Sequence, residues 1–320
     1  MQKIISNTWS WIKNHIPNRR HIVQAFAALL YNANLKGYIT GNIYKGASKA
    51  ICVPGMNCYS CPGAIGACPL GSLQNALAGA GHSTAFYVIG ILLMYGLIFG
   101  RTICGWLCPF GLLQDMLYKI KTFKITKSKF TRGLSYLKYF LLLTLVIILP
   151  VVYGIQNLAV PAFCKYICPA GTFGGAYGLL LNPNNESLLE MLGALFTWKS
   201  LIMFFFMVMS ILMFRPFCRF VCPLGAIYSF FNKLNLVGIT VDKKKCTKCG
   251  ICVKECNMDV KEVGDHECIQ CGKCIPGCPV KAIHFRGPLA YLYPGYSKET
   301  LENREVRAKT LSNEGGSKND

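Results

Sequence analysis

The sequence predicts a mostly α-helical membrane protein, with about four transmembrane helices in two pseudo-repeats and a small cysteine-rich α+β domain towards its C-terminal end. Three observations predict it. Of 320 residues, 52% are hydrophobic and only 15% are charged, too apolar a balance for an ordinary soluble domain. The apolar residues gather into stretches close to the ~20 residues that match a hydrocarbon core of roughly 30 Å. All 18 cysteines fall in close-spaced groups, unlike scattered structural thiols. The formal charge of +20 arrives without a nucleic-acid-binding motif, so no nucleic-acid partner is expected.

In chain order, residues 1–20 form a basic segment carrying Lys3, Lys13, Arg19 and Arg20, with no recognisable cleavable signal. Residues 21–39 are the weakest span, because Gln24, Asn32, Asn34 and Lys36 interrupt it. Residues 84–103, 134–154 and 198–214 are the stronger three. Charge orients them. The loop 104–133 holds Lys119, Lys121, Lys124, Lys127, Lys129 and Arg132, whereas the opposite loops are poor in base, so the basic loop and both termini are expected in the cytoplasm. That makes a multi-pass protein of the inner (cytoplasmic) membrane, with lipid as its surroundings. Residues 21–235 then form the membrane domain, residues 236–290 a cytoplasmic domain, and residues 291–320 a polar tail with a disordered composition.

The tetrapeptide CPxG occurs four times, beginning at Cys68, Cys108, Cys168 and Cys222. On this topology the four alternate outside, inside, outside, inside. Two pseudo-repeats follow, about 52–115 and 164–228, related by an axis along the membrane normal. Paired motifs would meet at that axis. Proline suits the first position of a helix, so each CPxG is expected to open a short one.

The cysteines carry the chemistry. Cys246, Cys249, Cys252 and Cys256 follow a C-x2-C-x2-C-x3-C spacing, repeated by Cys268, Cys271, Cys274 and Cys278. This is the spacing of a two-cluster ferredoxin, in which three close thiolates hold one 4Fe-4S cubane and the fourth reaches the other cluster. Cys246, Cys249, Cys252 and Cys278 are therefore expected to hold cluster 1, and Cys268, Cys271, Cys274 and Cys256 cluster 2. Zinc or disulfides are the competing readings. Cys104, Cys108, Cys218 and Cys222, two C-x3-C-Pro pairs on the inner side, supply four thiolates for an inner membrane cluster; the plain alternative is cysteines packed beside helix caps. The outer set is Cys52, Cys58, Cys61, Cys68, Cys164 and Cys168. A cluster there would draw on Cys58, Cys61 and Cys68 with one or both of Cys164 and Cys168, while disulfides compete on an oxidising face.

The stretches CVPGMNCYSCPGAIGACPLGSLQ, CGWLCPFGLLQD, FCKYICPAG and CRFVCPLGAIYS, followed by the ferredoxin spacing, resemble the polyferredoxin-type membrane proteins of the NapH/NosR/CcoG group. The resemblance covers roughly residues 20–285. It implies membrane electron transfer through 4Fe-4S clusters. There is neither a fused FMN-binding domain nor a haem-attachment motif.

The expected function is a wire through which a chain of clusters links a cytoplasmic electron donor or acceptor to a redox partner at the outer face. No catalytic residue is required. The alternative is a quinol dehydrogenase with quinone as a further cofactor, which needs a proton acceptor. Asp115 and His82 are the candidates, although Asp115 reads more simply as a partner for Lys119 and His82 as a loop residue. Copper reduction lacks a Met/His cluster to support it. The clusters also bear on the charge: each oxidised cubane with four thiolates carries about −2, so four would bring +20 down to roughly +12.

Overall fold

A computed structural model describes residues 19–79, 82–190 and 192–287. The rest of the N-terminal segment and the polar tail lie outside the described residues. The fold is mostly helical. Two helices, Lys129–Ile155 and Ala194–Leu212, are long and apolar enough to cross a membrane. Only 17% of the residues in each hydrophobic window are buried inside the protein. The core helix of a soluble protein would be mostly covered, so the exposed Phe140, Phe204 and Phe205 are suited to lipid rather than water. A shorter apolar helix, His82–Ile98, carries the stretch expected at 84–103 and stops before Gly100, whose φ of +52° suits a residue without Cβ.

The first expected span is not one helix. Arg19–Tyr31 and Leu35–Thr40 are separate helices, joined where Asn32 donates to Ala28 O and Asn34 to Pro62 O. The two asparagine side chains compete for backbone partners, which is why such residues favour helix ends. Inside Lys129–Ile155, residues Leu142–Ile148 widen into a π-helical stretch just ahead of Pro150, which lacks an N–H for the regular ladder.

Every CPxG opens a helix, with Cys68, Cys108 and Cys222 at the cap positions of Pro69–Ala78, Pro109–Tyr118 and Pro223–Phe230, and with helical backbone resuming at Pro169 after Cys168. Three of them share a local construction. The five-residue helices Thr102–Trp106, Ala162–Tyr166 and Pro216–Phe220 end in residues with φ of −122°, −122° and −121°. In each, the N–H of the second cysteine then bonds back to the carbonyl five residues earlier, at Ile103, Phe163 or Phe217. This turn brings both cysteines of a C-x3-C pair to one side of a short helix–helix corner.

The C-terminal part is built on an antiparallel pair, Gly238–Val241 with Ile283–Arg286, with Ile239 opposite Phe285. The core beneath it includes a residue from far away in sequence. Trp106 packs edge-on against Phe285 with ring centroids 5.7 Å apart, and its indole N–H donates to Gln270 O at 3.0 Å. Lys127 of the basic loop donates to the carbonyls of Val253 and Cys256. The cysteine-rich C-terminal part thus packs directly onto the C-x3-C motif of Cys104 and Cys108 and onto the basic loop.

Candidate metal centres

Cys104, Cys108, Cys218 and Cys222 are all buried in the main core and are electrostatic neighbours of one another. The short helices Thr102–Trp106 and Pro216–Phe220 present the first cysteine of each pair, and the following CPxG helix the second. Around them the polar contacts are to sulfur. Gln114 Nε2 donates to Cys218 Sγ at 3.0 Å and the Gly225 N–H to Cys222 Sγ at 3.4 Å.

This group is ringed by buried cations. Arg215 puts Nε and Nη2 on the two carboxylate oxygens of Asp115 at 2.6 Å each, and Nη1 on Cys104 O at 2.5 Å. Arg20 also reaches Asp115 at 2.6 Å. Asp115 is therefore the counter-ion of Arg215 and Arg20, with His21 3.4 Å away, and not the partner of Lys119. Neutral arginine is not accessible in a protein, so a buried guanidinium demands a carboxylate and an exposed lysine does not. Arg219 pairs with Asp259, and both Arg101 and Lys138 pair with Glu267. Burial pushes the Glu267 carboxyl up, but the Arg101 and Lys138 charges outweigh it and hold the group below its ordinary range.

In the outer set the structure distinguishes six thiols that look alike in sequence. Cys58, Cys68, Cys164 and Cys168 line one half-open cavity of about 450 Å³. Small residues face it: a Cβ at Gly71 would lie 3.7 Å from Cys164 Sγ, and one at Gly171 3.6 Å from Cys58 Sγ and 3.9 Å from Cys168 Sγ. Cys61 lies off this wall, within hydrogen-bond distance of the Tyr38 hydroxyl at 3.0 Å and of Asn32 Oδ1 at 3.5 Å. Cys52 is buried elsewhere, its carbonyl accepting from Tyr95 at 3.0 Å.

In the C-terminal part Cys256 is the electrostatic neighbour of Cys271 and Cys268. Cys246 and Cys252 pack against the same core as Cys278, and Cys249 is exposed. Burial pushes the Cys256 and Cys268 thiols up to about 12 and about 11. The bare thiols are thus neutral at pH 7, and metal binding must displace their protons.

Two residues that the sequence does not single out join the sites. Met56 lines the outer cavity, and its Sδ lies 3.5 Å from Cys222 Sγ of the inner group. Tyr228, fully buried, has both Cys104 and Cys68 as electrostatic neighbours and donates to Pro54 O at 2.9 Å. On the other side Arg101 is an electrostatic neighbour of both Cys104 and Cys268, and Cys274 is a neighbour of Cys252. A sequence signal for the arginines does exist: Arg101 and Arg215 each precede the first cysteine of an inner pair by three residues.

The donor chemistry fits iron–sulfur clusters. All 18 cysteines are free thiols, and soft thiolates are the ligand type of such clusters; Cys104, Cys108, Cys218 and Cys222 neighbour one another, and Cys58, Cys68, Cys164 and Cys168 line one cavity. Among the described residues, no three His, Cys, Asp or Glu side chains converge closely enough to hold a single metal ion, for which each Zn–S distance would be ≈ 2.3 Å. Comparison with known proteins agrees. A family model described as a 4Fe-4S binding domain matches three times, at residues 80–130, 139–184 and 195–241. Each match contains one C-x3-C-Pro corner. The chain is related to the polyferredoxin-type 4Fe-4S membrane proteins. An uncharacterized protein of Methanocaldococcus jannaschii is 29% identical over 53% of this chain and 64% of its own length. The regulatory protein NosR of Stutzerimonas stutzeri is 28% identical over 53% of this chain and 22% of its own length. The ferredoxin-type protein NapH of Haemophilus influenzae is 24% identical over 52% of this chain and 50% of its own length. The chain thus aligns over about half its length and spans less than two thirds of each relative. No solved structure matches.

Proposed function

We propose that the protein is an electron wire across the cytoplasmic membrane, running through four 4Fe-4S sites between a cytoplasmic redox partner and one at the outer face. The carrying observation is the unbroken series of neighbouring residues. Cys58, Cys68, Cys164 and Cys168 hold the outer site; Met56 and Tyr228 join it to Cys104, Cys108, Cys218 and Cys222; Arg101 joins that group to Cys256, Cys268, Cys271 and Cys274; and Cys252 carries the series on to Cys246, Cys249 and Cys278. Each cluster would supply a one-electron couple tuned by nearby charge and hydrogen bonds. The chain's own part is to hold the thiolates, exclude water and keep neighbouring sites within one hop.

The pseudo-two-fold arrangement is supported by a crossed contact. Arg101 of the first half lies against Gly225 of the second, and Arg215 of the second against Gly111 of the first, with a Cβ at those glycines 3.7 Å and 3.2 Å from the respective guanidinium. Four crossings would take the two long helices, the shorter His82–Ile98 and the broken N-terminal pair. The contacts of Lys127 with the C-terminal part support a cytoplasmic position for that part, on the side of the basic loop. The exposed Cys249 is surrounded in sequence by exposed Lys243, Lys244, Lys245, Lys248 and Lys254, which suits an acidic cytoplasmic partner.

The test is transfer across a bilayer. In sealed vesicles holding an impermeant acceptor, an impermeant reductant added to the ferredoxin side should reduce that acceptor, and Cys222→Ser should stop it. Reduction that proceeds equally well in the variant would sink the wire.

A second reading, quinol oxidation, is favoured by one cavity. A space of about 870 Å³ lies between the start of helix Lys129–Ile155, helix Pro223–Phe230 and the C-terminal part. Exposed Tyr136 and Phe230 form its apolar wall, and Asp265, His266 and Glu267 its polar one. His266, whose Nδ1 lies 2.9 Å from Ser229 O, stands two residues before Cys268 and would serve as proton acceptor. Asp115 is saturated by its cations and does not suit that role; the side chain of His82 lies outside the described residues. A quinone analogue that alters the EPR spectrum of cluster 2 would support this reading, and an unchanged spectrum at saturating analogue would remove it.

A further inference from the structure

Two arginines stand at equivalent places before the inner cysteine pairs, and their hydrogen bonds are unequal. Arg215 uses Nε, Nη1 and Nη2, on Asp115 and Cys104 O. Arg101, fully buried, uses only Nη1, which donates to His266 O at 2.7 Å and to Glu267 Oε2 at 2.9 Å. Its Nε and Nη2 are buried without a partner among the described residues. Buried donors of a charged group are rarely left so, and the usual account is an acceptor that protein atoms do not provide. Nη2 lies beside Gly225, whose N–H already donates to Cys222 Sγ, and the guanidinium is an electrostatic neighbour of Cys104 and Cys268. The missing acceptor is therefore sought at the inner cysteine group, on the side that faces cluster 2.

We propose that Arg101 donates its Nε and Nη2 protons to sulfur of the cluster held by Cys104, Cys108, Cys218 and Cys222, and so raises that cluster's affinity for an electron. The inference rests on the four-site reading above. One electron passed on from the cluster 2 site would enter with no bond made or broken and no proton moved, and its added negative charge would be met by a fixed cation that is already desolvated. Glu267 and the His266 carbonyl position the guanidinium through Nη1. Arg101 would thus act on the cluster directly and make the inner membrane site the electron-accepting step between cluster 2 and the outer site.

The test uses the full chain, purified anaerobically in detergent, uniformly labelled with guanidino-15N arginine, and read by pulsed EPR of the reduced inner cluster. The expected result is a 15N hyperfine coupling in the wild type that disappears in Arg101→Lys. An EPR-monitored redox titration should also show the reduced-to-oxidised ratio of that cluster at fixed potential falling about tenfold in Arg101→Gln, or ~59 mV for a one-electron couple. Should Arg101→Gln not assemble, the wild-type coupling and its loss in Arg101→Lys decide the matter. A chain with ~16 iron atoms but no nitrogen coupling overturns the role of Arg101 alone. A chain with ~8 has no membrane clusters and overturns the four-site reading with it.

Discussion

Replacing each outer cysteine in turn by serine tests the step that only the structure could make, the choice of four thiols from six. Serine keeps the size and some hydrogen-bonding capacity of cysteine but is a hard, poorly ionised ligand where iron–sulfur chemistry needs a soft thiolate. Cys58, Cys68, Cys164 and Cys168 share one cavity, so loss of any one leaves three ligands and should release a whole cubane: about 4 of ~16 iron atoms per chain. Cys61 faces Tyr38 and Asn32 instead, and Cys52 is buried away from the cavity. Cys61→Ser retains a hydroxyl for the same partners, so at most the ~0.5–1.5 kcal/mol of one hydrogen bond is at stake and the iron count should not move. Iron and acid-labile sulfide per chain, with EPR, give the readout on anaerobically purified protein. The reasoning fails if Cys61→Ser loses a cubane while any of the four cavity variants keeps it.

The remaining expectations concern what holds the sites in place. Asp115→Asn leaves Arg215 and Arg20 without a counter-ion and should cost about 3–5 kcal/mol, seen as a lower unfolding midpoint in detergent; an unchanged midpoint would mean that water reaches the pair. Burial raises the Asp115 carboxyl but Arg215 and Arg20 hold it below the usual carboxylate range, so its stabilisation is full at neutral pH and is lost only on acidifying through and below that range. The midpoint difference between wild type and Asp115→Asn should accordingly not shrink from pH 8 to about pH 5, and a difference already shrinking at pH 6 would contradict the pairing. Trp106→Ala should loosen the C-terminal part by about 3–5 kcal/mol and expose it to limited proteolysis; equal cleavage rates would show that the indole is not its anchor. Reversing charge at Lys243, Lys244 and Lys248 should slow reduction by a small acidic ferredoxin at low salt at least tenfold and flatten its salt dependence, whereas an unaltered rate would move the docking site elsewhere.

Much of the chemistry was legible because it is local. Cluster ligands must wrap one small cube, so their spacing is short and survives in sequence as C-x2-C and C-x3-C-Pro; the same locality lets proline mark each helix start correctly. The expected spans 134–154 and 198–214 fall on helices long and apolar enough to cross a membrane, 84–103 falls on a shorter helix that ends at Ile98, and 21–39 breaks where Asn32 and Asn34 turn the chain by bonding to its backbone. Ion pairs were not legible. Asp115 lies four residues from Lys119 in sequence, but its true partners are 95 and 100 residues away, because a buried guanidinium sets the stronger demand.

By itself, then, the sequence determined the ligand type, the two-cluster spacing, the apolar spans and the basic loop, all of which depend on neighbours within a few residues. Tertiary structure alone decided which four outer thiols share a wall, which residues lie between one site and the next, and that Trp106 anchors the C-terminal part to the inner motif. The physical reason is the same for each. Six chemically equal thiols, or two arginines at the same offset, are told apart only by what stands opposite them in space, and that is fixed by packing between segments far apart in the chain.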